Sequence, residues 1–191
     1  MEYAERCASE NKQVKIRSDG PYGSLPFNYR RYGSILFVAG GIGITPAMSI
    51  LKDVYQNHTD ASKKSPSHCI RHVTLVWVVP YASEALFLLD QLNSFHEMSR
   101  NDAHLPDLKL SIHVTRSSDG HATMKGQRFI YSRPVFDDVI DACLMGRPEV
   151  TRSTLVYACG PTKMVNQCWD ETMRKNAKNV RIDFYHETFE F

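Results

Sequence analysis

What this sequence lacks narrows its function first. Its five cysteines, Cys7, Cys69, Cys143, Cys159 and Cys168, form no C-x-x-C pair and leave one over. That argues against a secreted disulfide framework and for a reducing setting. No apolar run approaches the roughly 18 residues of a membrane-crossing helix, and the polar start "MEYAERCASENK" has no signal-peptide pattern. A net charge of +2, with no basic stripe interleaved with aromatics, gives no ground for nucleic acid as a partner. His68 and His72 flank Cys69. That spacing gathers two ligands only on a helix, and Pro66 and nearby serines oppose one, so no metal site is expected. There is no internal repeat.

What is present is an alternation of strands and helices. Apolar, β-branched runs at 34–39, 73–79, 108–115, 154–158 and 180–186 read as buried strands. Between them lie helical patterns. One runs over 46–56. A second, over 83–95, has Ser83 as cap and Leu86, Leu89, Leu92 and Phe95 on its apolar face. A third opens at Pro134 with Val135, Val139, Ile140 and Cys143 inward, and a fourth opens at Pro161. Residues 14–17 are a possible further strand, 57–72 a polar surface insertion, and 117–128 a loop. The expectation is an α/β fold, a doubly wound five-stranded parallel sheet. In such sheets ligands bind beyond the carboxyl ends of the strands. That rim collects Gly41, Pro80, Arg116, Cys159 and Glu187.

The stretch "AGGIGITPAMSI" joins the first strand to the first helix. It resembles a dinucleotide fingerprint, G-x-G-x-x-G, but Pro46 stands where the third glycine belongs. No acidic residue follows at the expected distance. Glycines at 40, 41 and 43 let backbone approach a ligand closely. The helix start, with Thr45 as N-cap and Pro46 at the first helical position, favours an anion such as pyrophosphate. The plainer alternative is a tight turn of any α/β protein.

Four segments occur in a fixed order: "DGPYG" at 19–23, "GGIGITP" at 40–46, "YACGPTKM" at 157–164 and "HETF" at 186–189. Together they resemble the NAD(P)-binding half of the ferredoxin–NADP reductase superfamily, and more narrowly the ferric reductase and NADPH oxidase family. "YRRYGSILFVAGGIGITP" is the most specific portion. "YSRPVF" at 131–136 is similar to that family's G-R-P-x-W segment, with Ser132 and Phe136 as departures. The resemblance covers residues 17–191.

It implies that pyrophosphate lies over Gly40, Gly41, Ile42, Gly43, Thr45 and Pro46, proline being usual there. It assigns Arg116, after the third strand, and Arg133 to the 2′-phosphate of NADPH, with Lys125 and Arg128 between them. The alternative for all four is solvated loop charge. Pro80 departs from the family's arginine after the second strand, which weighs against NADPH preference. Cys159, with Gly160 and Pro161, is placed beside nicotinamide C4. Glu187 positions the ring, and Phe189 stacks on the flavin, with Phe191 as a substitute. The alternatives are a buried structural thiol and a core-filling C-terminal strand.

The resemblance also implies NADPH and FAD as cofactors and haem in transmembrane helices. Residues 1–17 would be the tail of a flavin-binding β-barrel and 18–191 the nucleotide domain. The chain would then be part of a larger reductase on the cytosolic face of a membrane, inactive alone, with NADP(H), flavin domain and haem domain as partners. The expected reaction passes hydride from NADPH to FAD and electrons onward to ferric chelates. A superoxide-producing NADPH oxidase is the alternative in the same class. A regulatory nucleotide-binding module or an unrelated transferase are alternatives outside it.

Overall fold

A computed structural model describes residues 27–56, 69–116, 123–124, 127–145, 153–176 and 181–189. The expectations on 1–17, on "DGPYG", on 57–68, on Lys125 and on Phe191 lie outside them, as does the side chain of Arg128.

Among the described residues seven strands form one sheet: β1 (Ser34–Gly40), β2 (His72–Val79), β3 (Asp107–Val114), β4 (Thr123–Met124), β5 (Gln127–Ile130), β6 (Thr154–Pro161) and β7 (Ile182–Phe189). Their order is β4-β5-β3-β2-β1-β6-β7, with β1 at the centre. Six strands run parallel and only β4 pairs antiparallel, with β5. The expected count of five parallel strands is therefore one short. The missed strand, β5, begins in the stretch read as loop and runs two residues past it. It is four residues long and joins β3 through two register pairs, Ile112↔Phe129 and His113↔Ile130. Its recognisable apolar anchor is Phe129, fully buried. Four residues are too few for alternation to register as a pattern.

Helices cover both faces. On one, α1 (Ile44–Tyr55) and α2 (Ala82–Asn101) pack on the odd-numbered side chains of β1, among them Ile35, Phe37 and Ala39. On the other, α3 (Phe136–Leu144) and α4 (Thr162–Asn176) pack on Leu36 and Val38, with Val76, Val156 and Ala158. The doubly wound architecture holds. Leu89, Leu92 and Phe95 of α2 are fully buried, each worth about 1.5–3 kcal/mol by apolar burial.

Several helix starts differ from expectation. No side chain caps α2, whose boundary residue is Tyr81, so Ser83 sits inside the first turn; the helix also runs six residues past Phe95. Val135 precedes α3 and is 59% exposed, not inward. Pro161 closes β6, and α4 begins at Thr162. In each case the helix starts a residue or two from the breaker or cap, because the strand-to-helix turn takes its shape from the sheet it leaves.

At the amino edge, "YRRY" clamps the chain as it enters the sheet. The Tyr29 hydroxyl and Arg30 Nη2 both donate to Asp53 of α1, at 2.5 and 2.7 Å. The Tyr32 hydroxyl donates to Asp183 of β7 at 2.6 Å, and Arg31 donates to the Tyr32 oxygen at 2.9 Å. Burial, then the neighbouring carboxylate, raises the pKa of Tyr29, Tyr32 and Tyr157; burial, then the charge of Asp107, raises that of Tyr55. The neutral phenol is thus favoured in the fold. Its contribution to stability is complete below the unfolded value of about 10 and is lost as pH rises through the folded values. Urea unfolding between pH 8 and 11.5 is expected to show a decline in stability setting in near pH 10. Tyr32→Phe is expected to make that decline shallower. A decline of unchanged slope in the variant would remove Tyr32 from this linkage.

Candidate functional site

The glycine turn is built by three close fits. Gly41–Gly43 form a 3-10 turn running directly into α1. The Trp77 indole of β2 donates to the Gly41 carbonyl at 2.9 Å, fixing the turn from one side. From the other, a Cβ built on Gly43 would stand 2.2 Å from the Cys159 carbonyl oxygen of β6, and one on Gly40 would stand 2.7 Å from the Pro161 ring. Gly43 is therefore small because β6 occupies the space its side chain would need. Gly41 differs. Its φ is +53°, and a Cβ there would meet nothing within 4 Å. Ile42 beside it is 63% exposed. The open side of the turn is at Gly41 and Ile42.

Thr45 is not an N-cap. The helix starts at Ile44, and the Thr45 hydroxyl donates back to the Ile42 carbonyl at 2.7 Å. That carbonyl is the helical acceptor for the residue four places on, which is Pro46 and has no N–H. Threonine supplies the hydrogen bond that proline cannot. The pair lets proline stand within the first turn, where backbone donors are unpaired in any helix.

Cys159 and Glu187 face each other across the β6–β7 ladder, followed by Gly160↔Thr188 and Pro161↔Phe189. Both strands run further than the sequence pattern indicated, so the C-G-P segment is strand rather than turn. Cys159 is buried at 4% exposure. Burial, and then the charge of Glu187, pushes its thiol up to about 11. It is a neutral, polarizable group and not a thiolate nucleophile near neutrality. Glu187 is exposed, and the Tyr157 hydroxyl donates to its Oε1 at 2.8 Å. Tyr157 is itself 2% exposed. One carboxylate oxygen is thereby held from below. Phe189 is half-buried and packs against the core beneath α1 and α2.

Arg116 and Arg133 are both exposed, beyond the ends of β3 and β5. Neither pairs with an acid among the described residues. The Arg116 N–H donates to the Pro80 carbonyl at 2.9 Å, which ties it to the end of β2. Since β1, β2, β3, β5, β6 and β7 are parallel, Gly41, Pro80, Arg116, Arg133, Cys159 and Glu187 lie along one rim. Trp77 and Tyr157 are site residues the sequence reading did not name. The available signal was period-two alternation, which sets Tyr157 on the face of Cys159 and Trp77 on the face of Val79. His72 belongs to β2, His68 lies outside the described residues, and no cluster of metal-ligating side chains occurs among those described.

Comparison with known proteins points the same way. Residues 32–123 match the family described as the ferric reductase NAD binding domain. Ferric reduction oxidase 8 (mitochondrial) of Arabidopsis thaliana is 34% identical over 131 residues, covering 65% of this chain and 16% of that protein. NADPH oxidase 1 of Mus musculus is 22% identical over 192 residues, covering 92% of this chain and 32% of that protein. The chain thus spans a third or less of either relative. Among solved structures, a ferredoxin-NADP⁺ reductase of Plasmodium falciparum with 2'P-AMP shares the fold, with a TM-score of 0.54 at 20% identity, over 94% of this chain and 65% of that one.

The two glycines are expected to respond differently to alanine. Gly43→Ala forces a methyl into the fixed Cys159 backbone and should cost about 2–3 kcal/mol. Gly41→Ala meets no atoms but takes a left-handed backbone and should cost about 1 kcal/mol. Urea denaturation of both variants checks the order; equal losses, or the reverse, would mean that β6 does not approach the turn as described.

Proposed function

We propose, for a chain whose residues 32–123 match the ferric reductase NAD binding domain family, that it is the NADPH-binding domain of a membrane flavocytochrome reductase. The observation that carries this reading is the meeting of the glycine turn with the Cys159–Glu187 pair. A Cβ on Gly43 would touch the carbonyl of the cysteine that opposes Glu187. An open glycine turn and an exposed carboxylate held by Tyr157 thus lie close together on one rim.

NADPH supplies a hydride at nicotinamide C4 and FAD accepts it; the protein contributes binding and orientation. The half-buried, φ-positive Gly41 and the start of α1 suit the pyrophosphate, because a Cβ at Gly41 would meet nothing and the helix dipole favours negative charge. Arg116 and Arg133, charged and unpaired with acids among the described residues, suit the 2′-phosphate. Glu187, with one oxygen held by Tyr157, offers the other to the nicotinamide amide. Cys159 would present its neutral sulfur to the ring, and Phe189 would be the aromatic that covers the flavin. A close, aligned approach is what hydride transfer requires.

In this reading residues 18–191 are the nucleotide domain and 1–17 the tail of a flavin barrel. FAD and haem are held by other parts of a longer protein, and the domain works on the cytosolic face of a membrane. No helix among the described residues is long and apolar enough to cross one. The onward acceptor is ferric chelate. The family match supports this acceptor. A superoxide-producing NADPH oxidase is the second reading, favoured by the similarity to mouse NADPH oxidase 1 over 92% of the chain. A purely regulatory module would have no use for the Tyr157–Glu187–Cys159 arrangement.

Calorimetry with NADP⁺ and NAD⁺ tests the nucleotide reading. The chain is expected to prefer NADP⁺. Arg116→Ala should weaken NADP⁺ by about 1.5–3 kcal/mol, the value of a charge-assisted contact, and leave NAD⁺ nearly unchanged. Equal losses for both nucleotides would remove Arg116 from the 2′-phosphate. A native preference for NAD⁺ would overturn NADPH as the donor.

A further inference from the structure

We infer that His113 sets nucleotide specificity by holding Arg133 in register with Arg116. The inference rests on the 2′-phosphate reading of those two arginines and adds the residue that spaces them. It starts from how little joins β3 to β5. Their ladder consists of two pairs, Ile112↔Phe129 and His113↔Ile130. Arg116 and Arg133 each stand three residues beyond that last pair. On the β3 side the chain does not drift, because Thr115 and Arg116 donate their N–H groups to the carbonyls of Val79 and Pro80, at 3.0 and 2.9 Å. Arg116 is thereby fixed to β2, and its position does not depend on β5.

No such ladder reaches Arg133 among the described residues. Tyr131 anchors the start of its segment in the core, and past it the imidazole of His113 takes over, its Nδ1 2.9 Å from the carbonyl oxygen of Ser132, the residue immediately before Arg133. A carbonyl only accepts, so Nδ1 carries the hydrogen and donates. The side chain thus extends the β3–β5 pairing past the point where backbone pairing stops. His113 is 7% exposed, so it is built into the sheet and does not itself reach a ligand on the rim. Burial lowers its pKa, opposed by the Ser132 bond. A neutral imidazole with one fixed tautomer is a rigid spacer. Two guanidinium groups recognise one phosphate only if their separation is set before it arrives, since ordering long side chains on binding is costly. His113 is therefore a positioning residue. It acts through Arg133, on the discrimination between phosphorylated and unphosphorylated ribose.

The test compares side chains that keep or lose a donor at the Nδ1 place. In His113→Asn the amide N–H stands about where Nδ1 stood; in His113→Gln it stands a bond further out; in His113→Leu there is none. Affinities for NADP⁺, NAD⁺ and 2′,5′-ADP are measured by calorimetry on the full chain, with Arg133→Ala alongside. His113→Leu and His113→Gln should lower affinity for NADP⁺ and 2′,5′-ADP about tenfold and leave NAD⁺ within about twofold. His113→Asn should keep the native ratio. A merely structural histidine would weaken all three ligands together or none. If His113→Leu does not fold, the Asn and Gln variants still decide, and the same ratio in both overturns the inference. It also falls if Arg133→Ala lowers the NADP⁺ to NAD⁺ ratio while His113→Leu leaves it unchanged. A native chain without NADP⁺ preference removes the 2′-phosphate reading itself, and this inference with it.

Discussion

The contact between Gly43 and the Cys159 carbonyl is the constraint on which the rest of the rim depends. Backbone meets backbone there at a distance no side chain would allow. It sets how far the turn after β1 can lean over β6, and so where α1 begins. It also makes the anion-binding end and the thiol end of the rim a single unit. The second close fit, Gly40 against Pro161, repeats the arrangement one step earlier. Trp77 completes it from β2, so the turn is held by both neighbours of the central strand. Two parallel ladders and one indole thus hold the turn in place. The need for small residues here arises mainly from the protein's own packing; Gly41 alone leaves its side toward solvent clear.

Much of the architecture was legible because buried parallel strands are long apolar runs and the helices between them are strongly periodic. β1, β2, β3 and β6 lie where those runs lie. The misses share one physical origin. β5 carries too few residues for a period and is held by Phe129 and its partners, which are distant in sequence. β6 and β7 outrun their apolar cores because ladder bonds continue through Gly160, Glu187 and Thr188, residues that read as turn or surface. Thr45 and Ser83 have the side chains of helix caps, yet both lie inside first turns. Thr45 is engaged by the carbonyl that Pro46 leaves unserved, and α2 starts one residue before Ser83.

The rim shows the same division. The order of the motifs brought Cys159 and Glu187 to one end of the sheet, and the register sets them opposite each other. Nothing local to either residue announces Tyr157 as the donor to Glu187. That bond joins positions thirty residues apart and needs the register to be known first. Trp77 and Gly41 are likewise joined only through adjacent strands. Residues that touch a ligand leave motifs, whereas residues that hold them in place leave at most an alternation.

β7 has a neighbour on one side only among the described residues, and past Ile182, whose N–H and C=O are both taken by the Asn176 side chain, its outer edge has no strand beside it among them. Bare parallel edges of this kind template self-association. This one carries Asp183 at its start and His186 and Glu187 toward its end. A second copy adding in parallel register would set each carboxylate beside its twin, and like charges directly opposite are repulsive. At the other border the sheet ends in the two-residue β4, too short to seed a new strand. The carboxylate assigned to the nucleotide therefore also opposes edge-to-edge pairing. Substitutions that neutralise it would remove that repulsion along with whatever they change in binding.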